Sequence, residues 1–289
     1  MSFRTVFRPG LFAGQTHIVT GGGSGIGRCT AHELAALGAH VVLVGRNLER
    51  LENVAREIRE DGGECSLHSV DIRDEEAVQK MVAAVVAERG VIHGLVNNAG
   101  GQFPSPVEKI SKKGWDAVVA NNLTGGFLVA REVFNQSMAK TGGSIVNIIA
   151  DMWRGMPAMA HSGAARAGML SFTETAAVEW ANRGVRLNAV APGFIASSGM
   201  DRYDPSFAQH VIPQMNATIP ARRMGDEDEI SSAIVFLLSP AASYMTGACL
   251  CVDGGSSLNT KLFALKDHDR MPPQNAFHRA VRPKAVPGK

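Results

Sequence analysis

Tyrosine is almost missing from this chain: Tyr203 and Tyr244 are the only two in 289 residues. Chemistry that relies on a phenolic acid has two places at most to keep it. Cysteine is sparse as well, with Cys29, Cys65, Cys249 and Cys251 and no Cys-x-x-Cys spacing. This excludes a thiolate metal ribbon or dithiol redox motif and reads as buried thiols in a reducing compartment, with Cys249 and Cys251 on one face of an expected strand. No uninterrupted apolar run approaches the ~18 residues of a membrane helix. Residues Met1 to Gly10 hold no secretion signal, and Pro287-Gly288-Lys289 is not a Ser-Lys-Leu address. A cytoplasmic protein without a membrane partner is expected. Charge of one sign does not accumulate either: 29 Lys and Arg against 27 Asp and Glu leave +2. Without a basic stripe to track a phosphate backbone, nucleic acid is not an expected partner.

What the chain does have is glycine, 31 residues of it. Thr16 to Thr20 is a short apolar run followed by Gly21, Gly22, Gly23, Ser24, Gly25, Ile26 and Gly27, then by helix formers to Leu37. The pattern is strand, glycine turn, helix. Glycine permits positive φ and close backbone approach, and the helix start offers free N–H groups and a positive dipole end to a diphosphate. One such turn is weak evidence alone. The alternation continues, with strands expected at 41–44, 65–70, 92–97, 144–149, 185–190 and 248–252. Helices are expected at 48–60, 75–88, 108–139 with an interruption at Gly125-Gly126, 164–182 and 226–238. Repeated strand–helix units imply right-handed parallel crossovers in an α/β fold. Residues 194–225 read as a lid-like loop, and 259–289 as an extension that wraps the surface or is partly disordered.

Thr20-Gly21-x-x-x-Gly25-Ile26-Gly27, Asn97-Asn98-Ala99-Gly100, Pro192-Gly193-Phe194-Ile195 and Val252-Asp253-Gly254-Gly255 follow in that order. With them the chain resembles the short-chain dehydrogenase/reductase family over nearly its whole length. The resemblance implies a single-domain Rossmann fold over 1–258, a doubly wound seven-stranded parallel sheet with helices on both faces, and a homotetramer. It also implies a nicotinamide dinucleotide held by Gly21, Ser24, Gly25, Ile26 and Gly27 in the turn, and by Asn98, Ala99 and Gly100 after the fourth strand. Pro192, Gly193, Ile195 and Ser197 complete the implied set, with Asp71 as adenine contact or, equally, a turn cap. Gly45-Arg46 closes the second strand where an acid would select NAD. Arg46 can grip a 2′-phosphate bidentately, so NADP(H) is the expected cofactor, a solvated arginine being the other reading.

The family's catalytic set is Asn, Ser, Tyr and Lys, and Asn122 matches the first. Ile149-Ala150 stands where Ser is expected, and Ser162-Gly163-Ala164-Ala165-Arg166 replaces Tyr-x-x-x-Lys. Arg166 keeps a positive charge for a ribose or an oxyanion but cannot relay a proton, and a serine hydroxyl is a poor general acid. Tyr203 in the lid and Asp151 after the fifth strand are candidate proton donors, with an exposed loop tyrosine and a loop cap as the alternatives. Ser162 at the usual Tyr position resembles the 2,4-dienoyl-CoA reductase branch of the family, while the tract from His161-Ser162 with Gly100-Gly101-Gln102-Phe103, and Asp267-His268-Asp269 in the tail, resemble the peroxisomal trans-2-enoyl-CoA reductase branch more closely. Those branches reduce carbon–carbon double bonds conjugated to a thioester. An enolate needs hydrogen bonds and positive charge more than a strong acid, so the missing tyrosine fits alkene reduction better than carbonyl reduction. The expected activity is NADPH-dependent reduction of 2-enoyl or 2,4-dienoyl acyl-CoA, with Asn122, Ser162, Arg166, Tyr203 and Asp151 as catalytic candidates. Oxidoreduction of branched or terpenoid alcohols and aldehydes, and a non-catalytic dinucleotide-binding subunit, are the alternatives.

Overall fold

Seven of the apolar runs form strands in the computed structural model, which describes residues 2–202, 205–260, 263–284 and 286. They are β1 Thr16–Thr20, β2 His40–Gly45, β3 Glu64–Ser69, β4 Gly94–Asn97, β5 Gly143–Ile148, β6 Val185–Pro192 and β7 Cys249–Val252. All neighbours pair in parallel, in the order β3-β2-β1-β4-β5-β6-β7. The direction of winding reverses between β1 and β4, which opens a crevice at the carboxyl ends of the strands. The central strands are near-continuous Val, Ile, Leu and Ala because helices bury both of their faces.

One face is covered by α1 Gly25–Ala36, α2 Leu48–Glu60 and a helix near the end of the sheet region, Glu227–Leu238. The other carries α3 Glu75–Arg89 and two later helices, Gly125–Val133 and Ala160–Trp180. In chain order the remaining helices are α4 Lys112–Val119, α5 Gly125–Val133, α6 Ala139–Thr141, α7 Ala160–Trp180, α8 Pro205–Thr218 and α9 Glu227–Leu238. The sheet alternates its side chains between the two cores: Val41 and Leu43 join the α1 and α2 side, Val42 and Val44 the α3 side.

Two expectations change here. Gly125-Gly126 does not interrupt the helix; π-helical turns at Ala120–Thr124 and Phe134–Met138 join α4, α5 and α6 into one continuous stretch. The glycines serve packing instead, because a Cβ on Gly125 would lie 2.7 Å from Ile72 and one on Gly126 2.6 Å from Met169. The second change is α8, which occupies much of the expected loop 194–225. Pro205 takes its first position, where a fixed φ and a missing N–H are tolerated. Ile212 of α8 is buried with Met200 and Met224, and Met215 packs against them. No described helix is long and apolar enough to cross a membrane.

Beyond β7 the described part of the extension makes no strand or helix after Leu258, yet it is bonded along its length. Arg222 pairs with Asp267, His268 Nε2 with the Pro220 carbonyl at 2.8 Å, and Arg223 Nε donates to the Met271 carbonyl at 2.6 Å. Further on, Arg4 N–H donates to the Ala276 carbonyl at 2.9 Å, Phe277 packs on Phe3 with ring centroids 5.5 Å apart, and Arg279 grips Asp61 at 2.8 Å. The extension is a strap across α1 and α2.

Candidate active site

The glycine turn is held in shape by the residues after β4. Thr20 Oγ1 accepts from Asn98 N–H and Ala99 N–H at 3.0 Å each and donates to the Val96 carbonyl at 3.3 Å. Asn98 Nδ2 donates to the Thr20 carbonyl at 3.0 Å. Asn98 and Ala99 therefore act on the turn rather than project from it. A Cβ on Gly27 would collide with the Gly21 carbonyl and with Asn98, so the start of α1 packs directly on the turn. Gly25, with φ +58°, is open: its nearest neighbours are 3.8 and 3.9 Å from an added Cβ. Ser24 caps α1 without a side-chain hydrogen bond, and the first turn carries no acid. An uncapped helix start beneath an open glycine fits the diphosphate of a dinucleotide. Pro192 and Gly193 close the far side: the Pro192 carbonyl accepts from Asp151 N–H at 3.1 Å, and Gly193 lies against Asp253, 2.7 Å from an added Cβ. Ile195 bridges to Gly225, and Ser197 N–H donates to the Ile195 carbonyl at 2.9 Å.

Arg46 is exposed just past β2, and its carbonyl accepts from Ser69 Oγ at 3.3 Å. Asp71 is bound by Arg73, with Nε 2.9 Å and Nη2 2.5 Å from its two oxygens. Those bonds, reinforced by the nearby positive charge of Arg46, hold the Asp71 carboxyl below its ordinary range. Asp71 Oδ1 also accepts from Arg73 N–H at 3.1 Å, so the carboxylate is engaged within its own turn.

The reacting side is built where β4, β5, α7 and the π-turn meet. Asn97 Nδ2 donates to Asn147 Oδ1 at 3.0 Å, and Asn147 Nδ2 to Thr173 Oγ1 at 2.8 Å, a buried amide chain that fixes the strand ends against α7. Asn122, in the π-turn, clamps the loop after β4 reciprocally: its Oδ1 accepts from Gly101 N–H and its Nδ2 donates to the Gly101 carbonyl, both at 2.9 Å. Its amide is engaged with the loop. Arg166 reaches from α7 to the same loop: Nη1 donates to the Ile148 carbonyl at 2.6 Å, and Nη2 lies 2.5 Å from where a Cβ on Gly100 would be. A side chain at Gly100 would displace the ends of Arg166 and Asn122. Burial pushes the Arg166 guanidinium down to about 10, and its Nε–H is buried with no hydrogen-bond partner. A bare, desolvated cationic donor of this kind is suited to a ribose hydroxyl or a developing oxyanion.

Ser162 has no exposed surface, and its Oγ donates to Gln102 Oε1 at 2.5 Å. Gln102 is exposed. The open end of this pair is therefore the Gln102 amide, a residue that sequence reasoning quoted in Gly100-Gly101-Gln102-Phe103 without giving it a role. His161 is turned inward, accepting Ser162 N–H on Nδ1 at 2.9 Å and meeting the edge of Phe103 at 4.6 Å. Asp151 does not join Ser162 by any hydrogen bond; its Oδ2 accepts from Ser256 Oγ at 2.8 Å, which ties the loop after β5 to the turn after β7. Tyr203 lies outside the described residues.

A strand–glycine-turn–helix beneath an open crevice, with the further motifs around its rim, is the arrangement the family resemblance called for. The family model described as enoyl-(acyl carrier protein) reductase matches residues 21–257, and the chain belongs to the short-chain dehydrogenase/reductase family. A probable 2,4-dienoyl-CoA reductase of Bacillus subtilis is 39% identical over 84% of this chain and 96% of its own length. A peroxisomal 2,4-dienoyl-CoA reductase of Danio rerio is 34% identical over 88% and 85%. Among solved structures, a citronellol catabolism dehydrogenase of Pseudomonas aeruginosa is 62% identical, covering 88% of this chain and all of that one with a TM-score of 0.80. The seven-stranded parallel Rossmann fold and an oxidoreductase that uses a nicotinamide dinucleotide follow from this membership.

Proposed function

We propose that this protein is an NADPH-dependent reductase of the double bond in 2-enoyl or 2,4-dienoyl acyl-CoA thioesters, working without the Tyr-x-x-x-Lys pair. The carrying observation is the Ser162–Gln102–Arg166 group, which offers hydrogen bonds and a desolvated cation in place of a proton-relaying phenol. A reduced nicotinamide dinucleotide, when bound, would supply the hydride for the β-carbon. Gln102 donates to the thioester oxygen as it gains charge, its own carbonyl held by Ser162 so that the amide N–H groups face outward. Arg166 adds a fixed positive field, and Asn122 keeps the Gly100-Gly101 backbone close enough for that field to act. Ser162 and Asn122 are positioning residues in this scheme. The α-carbon proton comes from water, Asp151 or Tyr203. Dienoyl-CoA reductases at 34 to 39% identity support the thioester class.

The 62% identical citronellol catabolism dehydrogenase favours one second reading, oxidoreduction of branched or terpenoid alcohols or aldehydes. Mixing the purified protein with NADPH and crotonyl-, longer enoyl- or dienoyl-CoA, and with NADP+ and terpenoid alcohols, while following the nicotinamide absorbance separates the two. Turnover of thioesters is expected; turnover of alcohols alone replaces the first reading with the second. NADP(H) preference is proposed on Arg46, exposed at the end of β2 with no acid beside it in Gly45-Arg46. Arg46→Ala is expected to weaken NADPH binding about 10-fold or more while leaving NADH within about 2-fold, as for loss of one charge-assisted phosphate contact. Equal losses would remove the phosphate role. A cytoplasmic setting belongs to the same proposal, as does a homotetramer, which rests on the family resemblance.

A further inference from the structure

Glu227, the first residue of α9, turns its carboxyl towards the start of α1. Its Oε1 is the nearest atom to a Cβ built on Gly25, at 3.8 Å, with Ser197 Cβ at 3.9 Å on the other side. It therefore stands beside the uncapped N–H groups that the diphosphate of a dinucleotide would meet. Sequence reasoning read this position only as part of a helix start. Burial pushes the Glu227 carboxyl up to about 7, although Arg28 and an N–H from Ser198 favour the charged form. Asp226 and Asp228, its neighbours on α9, add to the upward push, and on α1 the buried Cys29 thiol is raised in turn partly by Glu227. Arg28, the cation facing it, is largely committed elsewhere: Nε and Nη2 grip Glu57 at 2.8 and 2.9 Å, and both Nη atoms reach the Arg279 carbonyl at 3.2 Å. Asp201 lines the adjoining cleft of about 420 Å³ together with Arg28 and Ser198.

We propose that Glu227, beside Gly25 at the start of α1, is a proton-linked member of the dinucleotide site that takes up a proton when a diphosphate lies there. The inference rests on the family's nicotinamide dinucleotide, not on which substrate is reduced. A carboxylate and a diphosphate sharing one partly buried helix start repel each other, whereas the neutral carboxyl can donate its proton to a phosphate oxygen. Dinucleotide binding then takes up a proton. As pH rises through the Glu227 titration the receptive form is lost and affinity falls.

The test is fluorescence titration of the full chain with NADPH and with NADH between about pH 7 and 9, a range above the second ionisation of a phosphate monoester, near 6. Affinity of the wild type should drop about 5-fold from pH 7 to 8 and approach 10-fold per unit beyond that, for both dinucleotides. Calorimetry at pH 8 in two buffers of different ionisation heat should register uptake of nearly one proton. Glu227→Gln should flatten the profile, bind more tightly than wild type at pH 8 and take up no proton; Glu227→Ala repeats the test should the amide disturb the helix start. Equal pH slopes in wild type and variants, or no proton uptake, overturn the inference. A folded wild type that binds neither dinucleotide overturns it together with the family's cofactor, and failure on thioesters alone leaves it standing.

Discussion

Ser162 has no exposed surface and bonds Gln102, so in the proposed reaction it acts through Gln102. Gln102→Ala is expected to lower kcat on an enoyl-CoA by about 100-fold, the usual loss for one donor to a developing oxyanion, with a smaller effect on KM. Gln102→Glu separates donor from spacer. At neutral pH its carboxylate repels the oxyanion and activity falls below that of the alanine variant; as pH drops and the carboxyl protonates, activity recovers, a rise that the wild type lacks. A steady-state pH profile checks it. Ser162 and Arg166 were legible in the sequence because they interrupt a known spacing. Gln102 was not, because a loop glutamine carries no periodic signal and acquires its role only on meeting a residue 60 positions away. Two buried histidines contribute to the acid sensitivity of the fold. Burial lowers His17 to about 3, helped by His93, and burial lowers His32 to about 4, with Arg28 adding to it and Glu57 opposing. The unfolded chain therefore binds protons more readily below about pH 6.5, and stability should fall on acidification from there towards pH 4 by up to about 1.4 kcal/mol per unit for each histidine. Urea titrations at stepped pH measure the slope, and His17→Gln should reduce it.

At the level of elements, the strands and the helices α1, α2, α3 and α9 fell within a few residues of their expected ends, since apolar runs and Asp or Asn caps mark them directly. Asn47 accepts from Arg50 N–H at 2.9 Å and Asp74 from Ala77 N–H at 3.0 Å. What the pattern hid were residues whose local preference and tertiary use differ. Pro205 looks like a breaker and starts a helix; Gly125-Gly126 look like a break and lie inside one. The close approach of α5 to Ile72 supplies a test. Gly125→Val should destabilise by about 1–3 kcal/mol through overpacking, whereas Gly126→Ala should cost less because it meets only the flexible end of Met169. Thermal unfolding of the two variants ranks them.

For the whole molecule, the strap joins parts of the sheet region that the motifs treat as separate: the base of α8 through Arg222 and Arg223, α9 through Asp228, and the ends of α1 and α2 through Phe277 and Arg279. Phe277 is 5% exposed, packed against Phe3 and His32 with Arg28 4.9 Å over its ring. Phe277→Ala should remove about 3 kcal/mol of stability, read as a lower urea midpoint with an unchanged slope. Wrapping of the surface was one of the two readings of this polar extension; its anchors, single residues without spacing, were not visible.

Phe277 and Ala276 cover Phe3 and Cys29, so the first strand–helix unit of the fold is completed by residues from the far side of the sequence. Until the strap docks, that apolar patch stays open and α1 lacks its outer layer. Aggregation during refolding should therefore track the docking of the strap, and not the assembly of the central strands.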